Sequence, residues 1–243
     1  MKIKIFLASL LLLSASSSFA KYGLVQDADG YVNVRAQASL KANVVAKLKN
    51  DEVVYCSDSS EKAFCHVSSS RLKEGGYIHL SRLDFFKNFT QWNAETTQGK
   101  TAIYRANKNQ VSIAVRPAQF NTADFKSSRS NHDTHLFDLY KNKAFFGTDG
   151  DLPNQKSMFQ LAEIKINFNG EQIVIPQSQL ENYFFPNTPL GHNSKNDHEM
   201  ATIYSKDDQL YILLDLNIGG VAHYHVNIHV DQNKLRSIQA WRS

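Results

Sequence analysis

A period of two in the last third of the chain leaves few folds open. In LYILLDL, Ile212, Leu214 and Leu216 share one side of an extended segment. In GGVAHYHVNIHV, Ala222, Tyr224, Val226, Ile228 and Val230 do the same. Apolar residues at every second position cover one face of a β-strand and no face of a helix. If both sets cover one core, the connection between the strands holds an odd number of residues. The simplest choice, Asn217 to Val221, sets Asp215 opposite His223. LRSIQAW then closes the chain as a further strand.

Upstream, QVSIAVR alternates Val111, Ile113 and Val115 with Ser112, Ala114 and Arg116. LFDLYKNKAFFG predicts a hairpin turning near Asn142-Lys143, and AEIKINFNGEQIVIP predicts one at Asn169-Gly170. The second pair suits a tight type I′ turn, because Asn and Gly reach positive φ at little cost. One helix is expected: Ser178 and Glu181 form a capping box that opens SQLENYFF, and Pro186 ends it. The stretch from Phe185 to Met200 reads as a long loop. Residues 101–243 are therefore expected as an antiparallel-sheet α+β domain with about one helix, in a chain that is mostly β.

The first 20 residues, MKIKIFLASLLLLSASSSFA, carry Lys2 and Lys4, an apolar stretch and small residues Ser18 and Ala20, the pattern of a secretory signal peptide. The chain is thus expected in the periplasm or outside the cell, soluble once the signal is removed. No later segment reaches the about 20 apolar residues of a membrane span. Removing two lysines from a formal charge of +4 leaves about +2, too little for a nucleic acid partner, which requires a concentrated basic surface.

Export also permits disulfides. The two cysteines lie in EVVYCSDSSEKAFCHV, which reads as two strands around a polar turn. If Tyr55 pairs with His66, Cys56 faces Cys65 across the hairpin, on the side of Val54 and Val67. The pair is read as a structural crosslink, since two cysteines alone do not complete a four-ligand zinc site.

Residues 28 to 85 contain short strand signals separated by turns: GYVNVR, NVVAKL, EVVY, AFCHV and GGYIHLSRL. Such spacing points to a small barrel. The stretch DGYVNVRAQASLKANVVAKLKNDEVVY, followed by FCHV and GGYIHLSRL, resembles the bacterial SH3-like domain called SH3b, over roughly residues 22 to 86, about a quarter of the chain. Asn50-Asp51 stands where the family has Asn-Gly, and Asp still adopts the left-handed turn conformation. Phe64 stands where a tryptophan is typical, which removes an indole donor from any ligand groove. The resemblance implies an attachment module for cell-wall material or a protein partner. Tyr31, Phe64 and Tyr77 are its candidate groove residues, with packing inside the barrel as the competing role.

The chain is accordingly divided into a signal peptide (1–20), an SH3-like barrel (21–86), a linker or interface (87–100) and the C-terminal domain (101–243). Phe85, Phe86, Phe89 and Trp92 are too apolar for a free linker and are expected to pack between the two units.

His223 and His225 carry the remaining question. His-x-His on a strand places two imidazoles on one face with Cα atoms about 6.5 to 7 Å apart, near enough to share a zinc or copper ion. Asp215 would orient one ring. His229 lies about 13 Å beyond His225 along a strand, so a third ligand would come from His132, His135, His192, His198 or Glu199. The reading adopted is the simpler one, that His223, His225, Asn227 and His229 form the solvent side of a one-sided sheet and that His223 and His225 are surface residues and not ligands. No Gly-x-Ser-x-Gly elbow, phosphate loop or His-Glu-x-x-His helix occurs.

The expectation is an exported, non-enzymatic two-domain binding protein without catalytic residues or a cofactor. One alternative is a periplasmic immunity-type inhibitor of a toxin, because NFNGEQIVIPQSQLENYFFPN and the strands after it resemble small exported domains of that kind. Another is a metal-dependent cell-wall hydrolase using zinc on the His-x-His strand.

Overall fold

The computed structural model describes residues 21–57, 61, 63–98, 100–128, 136–186, 201–217 and 222–242. The signal-peptide reading of residues 1–20 falls outside them, as do His132, His135, His192, His198 and Glu199. The described residues are mostly β, in antiparallel sheets.

Valines at alternate positions shape the N-terminal module. Its strands are β1 (Lys21–Val25), β2 (Tyr31–Arg35), β3 (Val44–Lys49), β4 (Val53–Ser57), β5 (Phe64–Ser68), β6 (Gly76–His79) and β7 (Leu83–Asp84). They pair in the order β3-β2-β6-β5-β4-β1-β7. Val32, Val34, Leu48, Val54, Val67 and Ile78 point into one core. The pairing does not close into the expected barrel, because β3 and β7 stand at opposite ends of the order. Two-residue β7 is followed by Phe86, at φ 57°, where the chain turns away toward a second sheet.

Cys56 and Cys65 are disulfide-bonded with Cα atoms 5.7 Å apart. The register differs from expectation by two residues: Cys56 lies opposite Val67, and Tyr55 opposite Ser68. A slip of two keeps every side chain on its face, so both cysteines remain in the module core and bond diagonally. Asp51 does take up the left-handed turn conformation, at φ 66°.

The segment 87–100 contains β8 (Thr90–Gln91) and β9 (Asn93–Gln98), which join different sheets. There follow β10 (Thr101–Ala106), β11 (Asn109–Pro117), β12 (Phe125–Lys126), β13 (Leu139–Tyr140), β14 (Lys143–Ala144), β15 (Met158–Phe168), β16 (Glu171–Ile175) and β17 (Phe184–Pro186). The last four strands are β18 (Ala201–Lys206), β19 (Gln209–Leu216), β20 (Tyr224–Asp231) and β21 (Lys234–Arg242). One sheet runs β16-β15-β11-β10-β9 with β17 on β15, a small one comprises β12 to β14, and a five-stranded one runs β21-β20-β19-β18-β8.

The two larger sheets form a sandwich. Val111, Ile113, Ile164 and Ile166 meet Ile203, Ile212, Leu214, Val226 and Ile228 in its core. Trp92 joins this core, whereas Phe86 and Phe89 pack in a separate cluster between the module and the sandwich. The Asn169-Gly170 turn forms as expected, with both residues at positive φ, while the other hairpin turns at Lys141-Asn142, one residue early.

No α-helix follows Ser178. A single 3-10 turn covers Gln177–Gln179, and the chain then pairs as β17 with β15. The reason lies in two successive aromatics, both fully buried. As strand neighbours they point to opposite sides, so Phe185 enters the sandwich core and Phe184 enters a cluster with Phe125, Tyr140 and Phe145. One helix face would not serve both. No helix among the described residues is long and apolar enough to cross a membrane.

Candidate functional site

The five-stranded sheet is covered on both sides. Its second face meets the N-terminal module: Leu24 and Val53 pack with Phe86, Tyr211, Leu213 and Trp241, bordered by Tyr22, Tyr55, Phe89 and Tyr204. Phe86 stacks on Tyr204 with ring centroids 4.3 Å apart, and the Trp241 indole donates to Ser68 Oγ at 3.2 Å. The expectation of a solvent-facing polar side is therefore overturned. His225 is 0% exposed and Asn227 2%. Both strands that supply Leu24 and Val53 are apolar on two sides, so the module itself needs a second cover there.

At one edge of this interface stand Asp215, His223 and His225. Asp215 pairs directly with His225, not with His223, because the β19–β20 connection is longer than the minimal one. His223 precedes β20, and its Nε2 hydrogen-bonds Asp215 Oδ1. The same oxygen lies 3.4 Å from His225 Nδ1. One donor atom from each residue lies within 4.8 Å of the other two.

The module supplies two tyrosines to the surroundings, and β21 supplies Trp241. The Tyr22 hydroxyl sits 2.9 Å from His225 Nδ1 and donates to the Leu214 carbonyl at 2.9 Å. Tyr55 stacks on the His225 ring with centroids 4.0 Å apart, and Trp241 flanks it at 5.4 Å. Burial alone would raise the Asp215 pKa, but hydrogen bonds to His223 and His225 hold it at about 2, so it is a carboxylate at neutral pH. Burial lowers the His225 pKa against the pull of Asp215. Burial also pushes the Tyr22 phenol well up, reinforced by Asp215 and Tyr55. A neutral imidazole, a carboxylate and a protonated phenol thus share a desolvated corner, a set able to hold a proton or a cation.

His229 stands apart from this group. It stacks on Tyr211 with centroids 4.3 Å apart, and its buried Nε2 has no hydrogen-bond partner among the described residues.

A second feature occupies the module along β2. A cleft of about 120 Å³ is lined by Tyr31 and Phe64 together with Asp27, Arg35, His79 and Arg82. Tyr77 does not line it; that ring packs on His66, with centroids 5.1 Å apart. Arg82 pairs with the nearly buried Asp27 at 2.7 Å, and Arg35 donates to the Ala42 carbonyl at 2.7 Å. Lys47 caps the Tyr31 ring 4.2 Å from its centroid. Leu40 also lines the cleft and is 67% exposed, and Val44 and Val45 of β3 are 46% and 56% exposed.

Sequence reasoning brought together His223, His225 and Asp215, and two of the three groove aromatics. It did not reach Tyr22, Tyr55 or Trp241 as neighbours of the histidines. The available signal was KYGLV and EVVYC, strands with apolar or aromatic residues on both sides. No family model matches this chain, nor does any curated protein or solved structure.

Proposed function

We propose that this is an exported, non-enzymatic binding protein whose SH3-like N-terminal module attaches to cell-wall material or to a protein partner. The C-terminal sandwich holds that module rigidly and adds a second recognition surface. One observation carries the reading: Tyr31 and Phe64 line one cleft together with the exposed Leu40. Aromatic walls with charged groups beside them suit a sugar ring or an extended peptide. Seven short strands in a module of this size support the SH3-like assignment.

The test is capture of purified cell-wall material, and of proteins from an extract, by wild type and by Tyr31→Ala and Phe64→Ala. Loss of capture in both variants, with unchanged melting, is expected. Equal capture by all three proteins would sink the reading.

The Asp215–His223–His225 group favours a second reading, a metal-dependent cell-wall hydrolase. Release of soluble fragments from cell-wall material by zinc-treated protein, abolished in His223→Gln, would establish it.

A further inference from the structure

We infer that Asp215, His223 and His225 form a binding site for one divalent transition-metal cation of the zinc class, at the seam between the sandwich and the N-terminal module. The inference stands independently of the binding reading, and it requires no catalysis.

Convergence is the first support. The three donor atoms lie within 4.8 Å of one another. A zinc ion reaches nitrogen at about 2.0 to 2.1 Å and carboxylate oxygen at about 2.0 to 2.2 Å, so small side-chain movements bring all three onto one ion. Backbone pairing fixes two of them: Asp215 and His225 are directly opposed on β19 and β20. Two imidazoles and a carboxylate select zinc, copper, nickel or cobalt over calcium and magnesium, which take oxygen-rich sets.

Access is the second. His225 forms a buried floor at 0% side-chain exposure, whereas His223 and Asp215 form a rim at 19% and 21%. A cation can therefore reach the two rim ligands from solvent.

Preorganisation is the third. Stacking on Tyr55 holds the His225 ring in place, and the Tyr22 hydroxyl already reaches the Leu214 carbonyl. When a cation occupies His225 Nδ1, Tyr22 keeps its single hydrogen on that carbonyl. Each ligating imidazole carries its hydrogen on the other ring nitrogen when the ion is bound, so a neutral ring only changes tautomer and no net proton is released. Because Tyr22 and Tyr55 belong to the module, the ion would also strengthen docking of module to sandwich.

The experiment uses purified protein stripped with a chelator. Zinc and cobalt are titrated by calorimetry, cobalt also by its visible absorption, and melting is followed with and without zinc. Saturable binding of one ion per chain is expected, with a zinc-dependent rise in melting temperature that chelation reverses. His223→Gln, at the rim, should keep its circular dichroism and lose affinity by more than the about 10- to 100-fold that follows removal of a merely orienting partner. His229→Gln, on the same sheet face but apart from the three ligands, should bind the ion as wild type does. Absence of saturable binding overturns the inference. So does equal binding by His223→Gln, or a loss of binding in His229→Gln. If Asp215→Asn fails to fold, His223→Gln and the chelator melts decide alone. Metal binding without release of cell-wall fragments would remove the hydrolase reading and leave this site standing.

Discussion

The two faces of the five-stranded sheet carry the same strands and opposite chemistry. Toward the sandwich, Ile203, Ile212, Leu214, Val226 and Ile228 are aliphatic and fully buried. Toward the module, the alternate positions are Tyr204, Tyr211, Leu213, Asp215, His225, Asn227 and His229, joined by Trp241 from β21. The first face needs only shape and exclusion of water. The second is also largely buried, but its polar atoms need partners: Tyr22 and Ser68 of the module supply two of them, and Tyr55 covers the His225 ring. Polar alternation in a strand therefore marks a face that needs a polar-competent cover, and the cover is not always water.

The largest effect should come from comparing neighbouring leucines on the two faces. Leu213 and Leu214 are both 0% exposed. Leu214→Ala is expected to cost about 2 to 5 kcal/mol, and Leu213→Ala to fall toward the lower end of that range, because a face shared by two modules can close up more readily than a sandwich core. Denaturant melts of both variants measure this. A larger loss for Leu213→Ala would show that the module interface is the better-packed layer.

Covalent constraint separates the two regions next. The module has the Cys56–Cys65 bond, spanning a sequence separation of 9, and no other cysteine occurs. Reduction should destabilise by about 2 to 3 kcal/mol in the chain-entropy model. If module and sandwich melt as one unit through their shared interface, the whole transition shifts. An early partial transition confined to the module would show that the interface does not couple them.

A single hydroxyl then tests the polar seam. Tyr22→Phe removes the bond to Leu214 and the contact with His225, at an expected cost of about 1 to 2 kcal/mol for stranded buried partners. An unchanged melt would mean that water replaces the hydroxyl there.

The smallest effect concerns pH. Burial holds the His229 imidazole below its ordinary 6.5, with Asp231 and Asp51 opposing and Arg236 assisting. The unfolded chain takes up that proton first, so the stabilising contribution is complete above 6.5 and declines as pH falls through 6.5 toward the folded value. His229→Gln should therefore flatten the dependence of melting temperature on mildly acid pH. An unaltered slope would place the titration elsewhere on this face.

Much of the fold was legible because a period of two is unambiguous. β11, β19 and β20 lie where alternation placed them, and β15 and β16 flank Asn169-Gly170, which turns as its backbone preferences require. The expected helix failed because Ser178 and Glu181 are a local signal, overruled by the burial of Phe184 and Phe185 in two different cores. The candidate site was half legible: Asp215, His223 and His225 are close in sequence and fall on one hairpin. Tyr22 lies 203 residues from His225, and nothing local joins them.

Both registers slipped by two, at Cys56 against Val67 and at Asp215 against His225. That shared slip divides what the sequence determines from what only the tertiary structure decides. Alternation assigns each side chain to a face, and a shift of two residues leaves every assignment intact, so hydrophobic patterning alone does not distinguish the two pairings. Register follows from the length and conformation of the connection. Which face meets water follows from whether another layer arrives to cover it, and here the arriving layer is the module that begins the described chain.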